Sequence, residues 1–183
     1  MDSVYHPIQR DRATFLETAA ATKGARSLIE VELAPGGGNA PHYHTDFEEH
    51  FRVVSGHLNV EVAGAIAELG PGDEAVAPAR VIHRFFNPTD APAVFRVELT
   101  PGHGGFENAL RIAYGLAQDG RVNRKGIPSN LSELAVLVTM AGTYVTGPLG
   151  YAARVFSFIA STKRGARIRE RLIERYCSPL RGF

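Results

Sequence analysis

From Ser27 onward the chain alternates apolar and polar side chains with a period of two, as half-buried β-strands do. Ile29, Val31 and Leu33 share one face, with Glu30 and Glu32 opposite. Phe47, Glu49, Phe51 and Val53 form the next run, against Glu48, His50 and Arg52. Leu58, Val60 and Val62 alternate with His57, Asn59 and Glu61; His83, Phe85 and Asn87 share a parity; Phe95, Val97 and Leu99 oppose Arg96 and Glu98. Pro35-Gly36-Gly37-Gly38 and Gly70-Pro71-Gly72 break the runs as turns. Short alternating strands between Gly/Pro turns predict an antiparallel sandwich or barrel, ending near Pro101-Gly102. Residues 1–26 are weakly patterned and close on the Ala-rich ETAAATKGARS, which predicts an entry arm with one short strand.

The period changes after Phe106. Residues 107–117 read as a helix, followed by a basic polar link from Gln118 to Ser129. Asn130-Leu-Ser-Glu133 resembles a capping box and predicts a helix with Leu131, Leu134, Ala135 and Val138 on one stripe, ended by Gly147-Pro148. A second apolar stretch runs from Leu149 to Ala160. In a last helix, 166–176, Ile168, Leu172 and Tyr176 line one side, and the pairs Arg167/Glu170 and Arg171/Glu174 lie on the wet side. The expected organisation is an arm (1–26), a β-barrel (27–104) and a helical C-terminal extension (105–183), without internal repeats.

Composition narrows the classes. The chain has 183 residues, 44% of them apolar and 21% charged, which is ordinary for a globular protein. A net charge of +1 gives no reason to expect nucleic acid as a partner. Cys177 is the single cysteine, so no intramolecular disulfide can form, and MDSVYHPIQR does not read as a secretory signal; a cytoplasmic protein is expected. Leu134–Ala153 is 20 residues without a charge, long enough to raise a membrane span. Its threonines and Gly142, Gly147, Pro148 and Gly150 argue instead for short helices packed on the barrel or on a second copy, hence a homo-oligomer, in the simplest case a dimer. Residues 161–183 carry seven Lys/Arg against two acids, expected as a solvated face; contact with an anionic membrane surface is the alternative.

The chemistry concentrates in His42, His44, Glu49 and His83. Three imidazole nitrogens and one carboxylate oxygen suit a divalent first-row metal. His42 and His44 share a face of an extended segment. Glu49 lies on the apolar parity of its strand, where an unpaired carboxylate would be costly and a cation would satisfy it. A one-residue slip would exchange Glu49 for Glu48, but parity selects Glu49 and places His50 and His57 outside. Asn87 and His103 read as turn residues, while Tyr43 and Asp46 fall at the mouth or in a loop.

The spacing Gly36-x5-His42-x-His44-x4-Glu49-x6-Gly56 matches every anchor of the first cupin motif. Gly72-x5-Pro78-x4-His83-x3-Asn87 matches the second except at Arg80, where a glycine is usual. Residues 27–100 therefore resemble the cupin superfamily, and the GFENALRIAYGLAQDG link is similar to one in bacterial cupins of unassigned function. The resemblance implies a mainly β fold, a double-stranded β-helix or jelly-roll barrel, with a C-terminal helical extension. It implies His42, His44, Glu49 and His83 as ligands of Fe, Mn, Ni or Zn. Phe47, Phe51 and Phe85 predict an apolar pocket for a small organic molecule. Two functions follow as expectations: a metal-dependent enzyme with dioxygenase-like or isomerase/lyase-like chemistry, or a non-catalytic small-molecule-binding or sensory protein whose helical tail serves assembly.

Overall fold

The computed structural model describes residues 2–145 and 153–177. Among these residues eleven strands form two antiparallel sheets. The six-stranded sheet runs β1 (Ser3–His6), β2 (Asp11–Glu17), β3 (Ser27–Leu33), β10 (Ala93–Thr100), β5 (Glu48–Ser55), β8 (Glu74–Ala77). The five-stranded sheet runs β11 (Thr143–Val145), β4 (His42–His44), β9 (His83–Phe86), β6 (Leu58–Val62), β7 (Ala65–Leu69). The alternation decides which face is inside. Ile29, Val97 and Phe51 stand in register across β3, β10 and β5, and Phe95 and Leu99 join them in the core. Each such side chain, taken from water, contributes roughly 1.5–3 kcal/mol of hydrophobic stabilisation. The polar parity pairs on the outer face: Arg96 Nε donates to Glu30 Oε2 at 3.0 Å, across β10 and β3.

The N-terminal arm holds two strands rather than one. β1 and β2 form a hairpin that extends the larger sheet beside β3, burying Ala13 and Phe15 in the main core. Exposed Leu16 and buried Asp11 disturb the period of two here, which is why the sequence pattern is faint.

Among the described residues four helices follow: α1 (Gly104–Gln118), α2 (Leu131–Ala141), α3 (Ala153–Ser161) and α4 (Lys163–Tyr176). Asn130 caps α2, its Oδ1 accepting from Ser132 N and Glu133 N at 2.9 and 3.2 Å. Glu133 is buried among the helices and accepts from Arg121 Nη2 at 2.5 Å, with Arg171 Nη2 3.6 Å away. That pairing and the one between Arg175 and Asp119 (2.7 Å) take the place of the Arg171/Glu174 pair expected along α4. The buried stripe of α2 is also rotated from the expected one. Val136, Leu137 and Ala141 pack with Ile112, Leu116, Ile168 and Leu172 of α1 and α4; of the expected stripe Ala135 is buried, while Leu131 is exposed. Much of the apolar run is therefore covered within the chain, and no described helix is long and apolar enough to cross a membrane.

The largest departure is where α2 ends. It stops at Ala141, well before Gly147-Pro148, which lies outside the described residues. Gly142 takes a left-handed conformation (φ 60°), and its N–H closes on Val138 O and Thr139 O. The chain then turns into β11, which adds to β4 as the edge of the smaller sheet. A segment expected to be helix thus becomes barrel wall.

Arg80 takes a left-handed backbone that glycine favours: its φ is +67°, and its N–H donates to His44 O at 2.6 Å. The side chain is exposed, so the departure presents a charge at the surface. A left-handed L-residue costs about 1–2 kcal/mol, of which glycine's extra chain entropy would return about 0.5–1 kcal/mol. Arg80→Gly is expected to stabilise the fold by about 0.5–1 kcal/mol, read as a higher urea midpoint at unchanged slope.

Candidate metal centre

The two sheets supply the centre between them. His42 and His44 come from β4, and His83 sits opposite His42 in β9 of the same sheet. Glu49 comes from β5 of the facing sheet, flanked in register by Ala77 and Leu99. Strand parity turns all four inward, and all four are buried. Each offers one ligand atom, and these atoms lie within 4.8 Å of one another.

Hydrogen bonds on the far side of each ring fix which nitrogen faces the cluster. His42 Nδ1 lies 2.9 Å from Ala40 O, and His83 Nδ1 lies 2.8 Å from Val81 O. A carbonyl oxygen only accepts, so both Nδ1 atoms carry hydrogen and both Nε2 atoms face the cluster; that of His83 shares a proton with Glu49 Oε2 at 2.9 Å, which a cation would displace. His44 Nδ1 meets Thr143 Oγ1 at 3.1 Å. The Thr143 hydroxyl donates to Ala141 O at 3.4 Å, so it accepts from His44 and leaves Nε2 of that ring unprotonated as well. Phe47 stacks on the His44 ring at 4.4 Å between centroids.

A family model described as "Cupin domain" matches residues 29–100, the segment that carries all four residues. Residues 29–100 are a cupin domain. The chain is also 36% identical over 86 residues to a protein named probable oxidoreductase patJ from Aspergillus clavatus, covering 46% of this chain and 26% of that one. A second match is the oxidoreductase OpS7 of Beauveria bassiana, 35% identical over 83 residues, covering 42% of this chain and 27% of that one. The chain thus spans about a quarter of the length of the curated relatives it matches. Similar solved structures include a sugar phosphate isomerase of the cupin superfamily from Silicibacter pomeroyi, with 26% identity and TM-score 0.48, covering 55% of this chain and 71% of that one. A predicted oxalate decarboxylase from Thermotoga maritima is 16% identical with TM-score 0.48, covering 50% and 80%.

Within the cupin domain the donor set fits a divalent cation. His44 Nε2 is buried without a hydrogen-bond partner. His83 Nε2 lies 2.9 Å and His44 Nε2 3.5 Å from the same oxygen, Glu49 Oε2. Three imidazole nitrogens and a carboxylate form a mixed set that Fe(II), Mn(II), Ni(II) and Zn(II) all accept. The electrostatics point the same way. Burial pushes His42 down to about 4, so its ring is neutral near pH 7. Burial raises the Glu49 carboxyl, but the neighbouring His44 and His83 outweigh it and hold Glu49 well below the usual carboxylate range. Burial lowers His83, and its bond to Glu49 together with that charge overcomes the effect, leaving it raised.

The cluster opens on a cavity of about 290 Å³ that His42, His44 and Glu49 line together with Ile29, Val31, Val97, Leu99, Phe85 and Phe106. That size is close to the lower end of small-molecule sites, about 300 Å³. Phe85 lines it as expected, whereas Phe47 and Phe51 serve the core around the rings.

Residues near the cluster in sequence lie elsewhere. Glu48 and His57 are exposed, and His50 pairs with Glu74 on the outer face at 3.0 Å. Tyr43 stacks on Tyr144. His103 caps α1, its Nδ1 accepting from Phe106 N at 2.9 Å. Asn87 ties the loops together, donating to Ala91 O at 2.7 Å and accepting from Thr89 N at 3.0 Å. Thr143 is the residue that the sequence did not mark, because only the pairing of β11 with β4 brings it to His44. Thr143→Val preserves shape and removes the acceptor that sets the His44 tautomer. It is expected to weaken metal affinity by about 10–100-fold with little change in stability, measured by competition with a metal-sensitive chelator.

Proposed function

We propose that this chain is a metal-dependent enzyme acting on a small, largely apolar organic molecule, with His42, His44, Glu49 and His83 holding one divalent cation. The observation that carries this reading is the convergence of four buried donor atoms at the wall of an apolar cavity. A cation there would act as a Lewis acid and template for an oxygen-bearing substrate. The protein would contribute neutral imidazoles in a fixed tautomer, a carboxylate held ionised, and walls of Ile29, Val31 and Leu99 that exclude water. Oxidation by dioxygen is the leading reaction class, supported by the two curated relatives named as oxidoreductases; isomerase/lyase-like chemistry is the other.

The test is turnover. Protein reconstituted separately with Fe(II), Mn(II), Ni(II) and Zn(II) is offered phenols, catechols and 2-oxo acids, with product followed by mass spectrometry and oxygen uptake by electrode. Turnover with wild type that falls at least a hundredfold in Glu49→Gln is the expected result, about the loss of one stabilising charge in the site. Tight, reversible binding without product in any metal form would instead favour a binding protein.

A further inference from the structure

The cavity has a second polar group, built from residues outside the matched segment 29–100. Asp11 of β2 and Tyr114 of α1 both line it, together with His6 of β1, and all three are buried. The Tyr114 hydroxyl donates to Asp11 Oδ2. His6 meets the Tyr114 ring edge-on, 5.2 Å between centroids, and its Nδ1 accepts from Gln9 N at 3.1 Å. Oδ1 of Asp11 is buried and has no hydrogen-bond partner. An orphaned carboxyl oxygen costs about 1–3 kcal/mol when nothing compensates it. Asp11 is 5% exposed and Tyr114 likewise 5%, so water at the surface does not supply the missing bond.

The register explains how this group comes to face the metal cluster's cavity. Asp11 stands opposite Leu33 at one end of β3, whereas Glu49 stands opposite Leu99, which pairs with Ser27 at the other end. The larger sheet therefore carries its two buried carboxyl groups at diagonally opposite corners of one inward face. Between them the wall is Ala13, Ile29, Val31, Val97 and Leu99. A cavity with donor atoms at one end, an apolar barrel and a single unsatisfied carboxyl at the other selects a molecule with the complementary order of groups. Burial raises the Asp11 carboxyl, and burial raises the Tyr114 phenol well above its ordinary value, so Tyr114 stays a donor. A hydroxyl can donate to Oδ1 when the acid is ionised and accept from it when the acid is neutral, so it suits either state.

We propose that Asp11, oriented by Tyr114, is a ligand-recognition residue that takes the hydroxyl of an elongated, otherwise apolar alcohol or phenol, long enough for its other end to be held at the His42, His44, Glu49 and His83 cluster. The inference deepens the proposed function and rests on that reading for the far end of the molecule. The Asp11–Tyr114 end stands on its own geometry, and it makes the arm and helix α1 part of the binding site.

The probes are phenol and toluene, which differ by a hydroxyl in place of a methyl. Both are titrated by calorimetry into wild type and into the Asp11→Leu/Tyr114→Phe double variant, as purified and after chelator treatment. Replacing both partners with apolar groups of similar shape leaves no new orphan, so the fold is retained. In both metal states the double variant is expected to bind phenol at least tenfold more weakly while toluene changes less than twofold. A purely structural pair, pinning β2 to α1, would shift the melting temperature and weaken both probes alike. Equal loss of the two probes, unchanged phenol binding, or no binding of either probe to wild type would each overturn the proposal. The chelator-treated titrations do not depend on a metal, and the metal content of His83→Ala reads that separate question, so either idea can fail alone. Single variants Asp11→Asn and Tyr114→Phe check the result should the double variant melt early: each is expected to lower the phenol-to-toluene affinity ratio, and an unchanged ratio in both would overturn the proposal.

Discussion

Glu49→Gln is expected to lower the affinity for a divalent cation by at least a hundredfold. Removing one member of a buried charged group costs about 3–5 kcal/mol, equivalent to two or three powers of ten in binding. Glutamine keeps the shape of the side chain and the packing against Ala77 and Leu99, so a packing defect does not explain the loss. The substitution has a second signature that needs no metal. Burial pulls His83 down, while its bond to Glu49, the carboxylate charge and, least, its bond to the Val81 carbonyl raise it. With glutamine the pull of the carboxylate goes and burial outweighs the Val81 bond that remains, so the His83 ring should titrate below 6.5 instead of above it. A metal titration and the histidine ring resonances of chelator-treated protein measure the two effects. Wild-type metal affinity in Glu49→Gln would remove Glu49 from the ligand set.

The second large effect is acid sensitivity of the metal-free protein. Burial depresses His42 from 6.5 to about 4, so below pH 6.5 the unfolded chain takes up a proton that the folded chain refuses. Stability from this residue is therefore complete above about pH 6.5 and is lost as the pH falls towards about 4, by about 3 kcal/mol. His83 works in the opposite sense: being raised, its contribution is full below 6.5 and fades as the pH rises through its folded value. Asp11, also raised, penalises the fold as the pH climbs above 3.8 through its folded value, but this is common to wild type and His42 variants. Urea unfolding of chelator-treated wild type and His42→Phe at pH 7 and pH 4.5 isolates the His42 contribution. Wild type should lose more stability on acidification than the variant by about 2–3 kcal/mol, and equal losses would contradict the account.

The cupin barrel and its four donor residues were legible because both depend on local parity. In β5 the period of two separates Glu49 from Glu48 and His50, and in β4 it sets His42 and His44 on one face. The rest of the cavity was not legible, for reasons that differ by residue. Asp11 is a polar group on a buried parity, next to a hairpin whose Leu16 points outward, so the local pattern understates burial. Thr143 lies in an apolar stretch that reads as helix; its role depends on Gly142 turning the chain back along β4, a tertiary pairing. Tyr114 is one more aromatic on an amphipathic helix until β2 brings Asp11 against it. Arg80 shows the converse: a motif mismatch in sequence at a residue that still takes a left-handed backbone, the conformation glycine favours.

The central claim is that the cluster of His42, His44, Glu49 and His83 binds a divalent cation. Elemental analysis of protein purified without added metal tests it most directly, with His42→Ala and His83→Ala prepared in parallel. One equivalent of a first-row metal per chain in wild type, and less than a tenth of that in each variant, is the predicted result, given about 3–5 kcal/mol lost with one buried partner. Stoichiometric metal in either variant, or a wild-type protein that neither contains a metal nor takes one up from Fe(II), Mn(II), Ni(II) or Zn(II), would contradict it.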